Sequence, residues 1–238
     1  MVNRTYLRIL LGALLVTLLG SPTSRAQSIS PVILEYREKA KGQFQVTNDT
    51  EYPLDVVLEP FSFSVGADGK PAYRPLDPGI HVKLSATSFR LGPKQVYTVY
   101  YDARAEQLPA WFTIYATVIK TGGHTDFRVA YQLPHTVYLL PKKNLEREAL
   151  VFQRVEVVKV GNRIEVEFEN QSENFGRVEQ VEVQYASEKK TYAGFPLFPH
   201  QKRILLLEGD SRGRPQRVTL RFARFKVEHP IRVPGASQ

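Results

Sequence analysis

The sequence predicts an all-β chain built as two immunoglobulin-like β-sandwich domains, and three observations carry that expectation. Val, Ile, Tyr, Phe and Thr recur throughout, while no long stretch repeats at helical period. Gly, Pro, Asn and Asp cluster between short apolar-polar alternations, as turn residues do between strands. The phrase Leu-x-Pro-x-Gln is written twice, at 91–95 and 197–201, each time ahead of a strand-like run. A chain of 238 residues has room for two such domains of about 100 residues each.

The first element is a leader. Arg4 and Arg8 precede an apolar run from Ile9 to Leu19, and a small-residue site follows at Ser24 to Ala26, the pattern of a secretory signal peptide cut after Ala26. The run is shorter than the roughly 20 apolar residues a bilayer span needs, so no permanent membrane anchor is expected. Lys and Arg number 32 against 24 acids, a formal +8. Arg4, Arg8 and Arg25 leave with the leader, so 29 cations remain and the exported chain carries about +5. These charges alternate along strands, as in "RIEVEFEN", which describes a solvated sheet face, and nucleic acid is not an expected partner. The chain has no Cys, which excludes disulfides, thiolate metal sites, thiol nucleophiles and a lipid-modified cysteine together.

Strand-like alternation follows at 29–36, 42–47, 54–63, 95–101, 111–120 and 127–140, punctuated by "TNDTEYP", "GADGKP", "LDPG" and "KTGGHTD". Six or seven short strands in this span predict one sandwich. A second series runs through 150–160, 163–169, 177–186, 190–195, 202–208, 216–224 and 226–233. The polar stretch "LLPKKNLEREA" between them sets the expected division: 1–26 leader, 27–143 first domain, 144–238 second domain.

Within each series an Asn closes a strand, Asn48 in "QVTNDTEYP" and Asn170 in "EFENQSENFG", and a Leu-x-Pro-x-Gln phrase comes later. The repeated phrase therefore reads as a turn that starts the same strand in two similar sandwiches, with Pro holding φ near −65°. Asn48-Asp-Thr50 and Asn170-Gln-Ser172 also match a glycosylation sequon, and both are read as turn residues.

"ISPVILEY", "FQVTNDTEYPLDVVLEPFSF", "SFRLGPKQVYTVYY", "WFTIYATVIK" and "FRVAYQLPHTVYLLP", in this order, resemble the first domain of the periplasmic pilus-assembly chaperones of the chaperone/usher system. "VEFENQSENFGRVEQVEVQ" and "FPLFPHQKRILLL" resemble their second domain. The resemblance implies two domains in an angled, L-shaped arrangement and a periplasmic protein. It implies binding and capping of pilin-like subunits by a donated β-strand for assembly of surface organelles, with an outer-membrane usher as a further partner. No enzyme activity, cofactor or metal is implied.

The stretch matching the donated strand is "DFRVAYQLP", where Phe127, Val129, Tyr131 and Leu133 share one face. The family grips its client's terminal carboxylate with a first-strand Arg and a Lys near the end of the last strand. Here the first strand has no Arg before Arg37, and the Lys position falls at His135 or Thr136, so Arg37, His135 and Thr136 form the candidate anchor region. Pro134 lacks a ladder donor and belongs at an edge or bulge. The alternative function is a structural or adhesive immunoglobulin-like envelope protein with no client, in which the 127–133 side chains pack into their own domain. An enzyme has little material: the five His are scattered, no phosphate loop or nucleophile elbow occurs, and Glu165, Glu167 and Glu169 form a period-two sheet face.

Overall fold

The computed structural model describes residues 27–120, 130–158, 163–186, 188–209 and 213–233. The leader 1–26 lies outside them. Seventeen strands carry the described chain. Those of the first half are β1 (Gln27–Ser30), β2 (Ile33–Arg37), β3 (Lys39–Asn48), β4 (Leu54–Val65), β5 (Pro71–Pro75), β6 (Ile80–Leu84), β7 (Ser88–Leu91), β8 (Val96–Ala105), β9 (Ala110–Lys120) and β10 (Ala130–Leu140). After a 3-10 turn at Arg147–Ala149 come β11 (Leu150–Val158), β12 (Arg163–Asn170), β13 (Gly176–Tyr185), β14 (Lys189–Leu197), β15 (Lys202–Glu208), β16 (Pro215–Phe222) and β17 (Lys226–Pro230).

The first half pairs a sheet ordered β1-β3-β8-β6 with one ordered β2-β10-β9-β4-β5, to which β7 adds beside β4. The inward residues of each strand alternate with exposed ones, and Phe44, Val46, Val56, Val99, Phe112, Ile114, Val137 and Leu139 fill the space between the sheets. The second half repeats the plan with β11-β12-β15 and β14-β13-β16-β17 around Val166, Phe168, Val181, Val183, Leu197 and Leu220. This is the all-β, two-sandwich architecture expected.

Two details differ from the sequence reading. The run expected at 29–36 is two strands in two sheets: β1 pairs with β3, and after Pro31 the chain crosses to lay β2 parallel against β10. Proline supplies no ladder donor, so the pairing stops there and resumes across the sandwich. The strands β5, β6 and β7 were not anticipated. β5 ("PAYRP") begins and ends in Pro and is exposed throughout, and β7 has four residues, so neither shows a readable alternation.

Asn48 and Asn170 are fully buried, and each performs the same task. Asn48 Nδ2 donates to the carbonyls of Tyr52 (2.8 Å) and Gly92 (2.8 Å), while its Oδ1 accepts from the Thr50 amide and hydroxyl. Asn170 Nδ2 donates to Asn174 O (2.8 Å) and Phe198 O (2.9 Å), and its Oδ1 accepts from the Ser172 amide and hydroxyl. Gly92 and Phe198 are the second residues of the two Leu-x-Pro-x-Gln phrases. In each phrase the Gln side chain accepts from the amide of that second residue, and the fourth residue turns left-handed, Lys94 at φ 58° and His200 at φ 51°. The repeated words thus build the same clasp twice, each ahead of the strand that follows, β8 or β15.

A third apolar cluster joins the halves: Phe63, Tyr138 and Leu140 from the first meet Phe175 and Phe198 from the second, with Trp111 alongside. Polar contacts flank it. Arg177 pairs with Glu35 at 2.5 Å, and the turn after β4 reaches the second half, where the Ile204 amide donates to Ala67 O (2.9 Å) and Gln201 Nε2 to Val65 O (3.1 Å). Each of the five buried side chains is worth roughly 1.5–3 kcal/mol, against about 0–1 kcal/mol for a partly exposed ion pair, so the apolar seam dominates this contact.

Candidate functional site

β10 is flanked unequally. Along one side it pairs antiparallel with β9 from Ala130 to Leu139. Along the other, parallel pairing with β2 begins only at Thr136. From Ala130 to Pro134 that second side has no strand beside it among the described residues. The direction of its backbone groups follows from two bonds: the Thr136 amide donates to Val32 O (2.7 Å), and Leu140 O accepts from the Glu38 amide (2.9 Å). Even-numbered residues of β10 therefore turn their polar groups to the β2 side, and odd-numbered ones bond β9. The open edge thus offers the N–H and C=O of Ala130 and Gln132 and the C=O of Pro134. This accounts for a proline inside a strand, because the donor it lacks would have pointed to the side where no ladder runs.

The structure separates the expected docking residues. Phe127 and Val129 lie outside the described residues. Tyr131 is 53% exposed although Val118, its partner across β9, is buried, so its ring stands at the open margin of the first core. Leu133, on the same face as Tyr131, is partly buried and packs against that core, because the covering sheet reaches the odd-numbered face of β10 from this point on.

The anchor region is also redistributed. His135 is fully buried, stacked on Phe44 with ring centroids 4.6 Å apart. Its Nδ1 lies 2.6 Å from Pro31 O and its Nε2 3.1 Å from the Tyr101 hydroxyl. Burial pushes its pKa below the usual histidine value, only partly offset by the bond to Pro31. A neutral, sealed imidazole is no carboxylate anchor, and the expectation for His135 is corrected accordingly. The Thr136 hydroxyl pairs with that of Thr113 at 3.0 Å. Arg37 is exposed, but its guanidinium donates to Pro141 O (2.6 Å) and Asn144 Oδ1 (2.7 Å), fastening the link between the halves.

The residues that do border the open edge were not singled out from the sequence. Val32 and Ile33 are each 48% exposed at the start of β2, where the resemblance implied an arginine. With Tyr131 they make the margin apolar. The legible signal was Pro31, whose interruption of the strand turns the following "VIL" from core text into the lip of an edge. Among the described residues no group of three or more acidic or His side chains could hold a metal ion.

No family model matches the sequence, and no curated protein matches it. Solved structures do. CfaA, a class 5 fimbriae chaperone, is 11% identical over 87% of this chain and 99% of its own, with a TM-score of 0.54. The chaperone YadV is 10% identical over 85% of this chain and 99% of its own, with a TM-score of 0.55. The fold is that of the fimbrial chaperones. A chain from the complex of Salmonella enterica SafA pilin with the SafB chaperone is likewise similar, 12% identical over 88% of this chain and 98% of its own, at a TM-score of 0.54.

Proposed function

We propose that this chain is a divergent periplasmic chaperone of the chaperone/usher type, exported by residues 1–26, that caps a pilin-like subunit by lending it the strand around 127–134. The observation that carries the reading is the open edge of β10 at Ala130–Pro134, backed by a full ladder to β9 and bordered by exposed Tyr131, Val32 and Ile33. A subunit short of one strand exposes unpaired backbone and an apolar groove, and such an edge satisfies both at once. The SafB chaperone was solved with a pilin, which makes a pilin-like client the natural partner to test. An outer-membrane usher is a further proposed partner. The proposed division at 143/144 puts the capping edge in the first domain, and the reading requires no cofactor and no chemical step.

Leu133 favours a second reading, a structural or adhesive envelope protein without a client, because that side chain is spent on its own core. Co-purification from the periplasm with a co-expressed strand-deficient pilin-like subunit separates the two. A one-to-one complex, lost in Tyr131→Asp and in Val129→Asp while both variants stay folded, is the expected result. A complex that survives both substitutions, or none with the unaltered chain, overturns the capping assignment.

A further inference from the structure

The outer face of the β1-β3-β8-β6 sheet carries a charge pattern that the open edge does not explain. Its exposed positions form rows across the strands. Lys39 of β3 lies opposite Arg104 of β8, which lies opposite His81 of β6. In the next row Lys41 and Lys83 flank Asp102. Lys39, Lys41, Lys83 and Arg104 are all exposed, and none forms an ion pair among the described residues; Asp102 lies between them, and Glu106 pairs with His81 at the margin (3.4 Å).

This differs from the second half of the chain, where sheet charges are matched. Glu182 pairs with Arg221 (2.5 Å) and Lys189 (3.0 Å), Glu228 with Arg217 (2.8 Å), and Glu165 with Arg154 (3.1 Å). Like charges set directly opposite on neighbouring strands lower stability, so the Lys39–Arg104 juxtaposition is a cost that folding alone does not require.

We propose that this face binds an acidic, extended segment of a partner protein. The cations of one strand recur every second residue, about 6.8 Å apart, which is the spacing of alternate side chains on an extended chain. A segment with carboxylates in period two can therefore meet Lys39 and Lys41 of β3 in register, with Arg104 of β8 and Lys83 of β6 on the strands beside it. Two adjoining hollows of about 540 and 340 Å³ run over the face, the larger bordered by the 59% exposed Tyr100, which gives the segment an apolar contact at one end. An anionic membrane is a poorer match, because the face is a regular sheet with a carboxylate at its centre.

Fluorescence anisotropy with a labelled alternating Glu-Thr peptide, a Gln-Thr control peptide and vesicles of phosphatidylglycerol, applied to the exported chain, tests this. The Glu-Thr peptide should bind, weaken steeply as salt rises, and bind about threefold to tenfold more weakly to Lys41→Gln/Lys83→Gln. Tyr131→Asp should leave this binding unchanged, which separates failure here from failure of the capping reading. Equal binding of the Gln-Thr peptide, binding of vesicles but not peptide, no peptide binding, or an unaffected double variant each overturns the proposal. Should the double variant not fold, a salt-insensitive affinity of the unaltered chain overturns it.

Discussion

The Tyr101 hydroxyl lies 3.1 Å from Nε2 of His135 in the middle of the first core, where burial favours the neutral imidazole. Nδ1 faces the Pro31 carbonyl and must donate to it, so in the neutral ring Nε2 accepts from Tyr101, leaving the Tyr101 oxygen to accept from Tyr36 at 3.1 Å. A protonated ring would have to donate from Nε2 to the Tyr101 oxygen, reversing the chain, and would bury a charge in the core. The network also holds Pro31, where the chain crosses from β1 to β2. Gly42 makes room for it, since a Cβ there would lie 2.2 Å from the Tyr36 hydroxyl.

Stability should therefore fall as pH drops below 6.5. In that range His135 of the unfolded chain takes up a proton that the folded chain refuses, so the unfolded state binds more protons and gains on acidification. The paired carboxylates of Glu182 and Glu228 are held below their ordinary 4.5, so their contribution is present above that value and is lost at lower pH. Urea midpoints measured between pH 6.5 and 4.5 thus isolate the imidazole. His135→Gln, neutral at every pH, should flatten the decline, and an unchanged slope would show that another group is responsible.

Removing either clasp should cost about 1–3 kcal/mol or more, because Asn48→Ala or Asn170→Ala leaves buried carbonyls and amides without partners. Thermal unfolding followed by circular dichroism should register a lower midpoint for each. Asn48→Ser, too short to reach Gly92 O, should not rescue the loss.

Gly69 sits at φ +83°, and a Cβ there would lie 1.9 Å from the Arg203 guanidinium. Gly69→Ala should therefore strain the turn after β4 and push the Arg203 guanidinium aside. Calorimetry should show a destabilisation of roughly 1–2 kcal/mol, and Gly69→Ala/Arg203→Ala should cost less than the two single changes added together.

Gln132→Pro should delete the central of the two donors on the open edge, leaving only that of Ala130, while the bonds to β9, made by odd-numbered residues, persist. The expected result is a change in stability under about 1 kcal/mol with loss of the pilin-like partner in co-purification. Retention of the partner would mean that backbone pairing at this edge is not what holds it.

Much of this was legible because it depends on local chemistry. The strands of the second half and the paired Asn and Leu-x-Pro-x-Gln signals are written in residue types that have few other uses in turns. Faces were harder. Period-two alternation assigns Tyr131, Leu133 and His135 to one side of β10 but does not say where along the strand the opposing sheet begins to cover that side. That depends on where β1 gives way to β2, a crossing made by residues a hundred positions away in sequence. Val32 and Ile33 were hidden for the same reason, since an apolar run gives no sign by itself that its strand is an edge.

Trp111 is the chain's single tryptophan, its indole N–H donating to Phe63 O at 2.7 Å and its ring centroid 4.5 Å from that of Phe198 across the seam. It is also the cross-strand partner of Tyr138, on the same strand whose beginning forms the open edge. The molecule consequently carries a built-in optical gauge: the colour of its own ultraviolet emission reads whether the two halves are closed on each other, with no label attached.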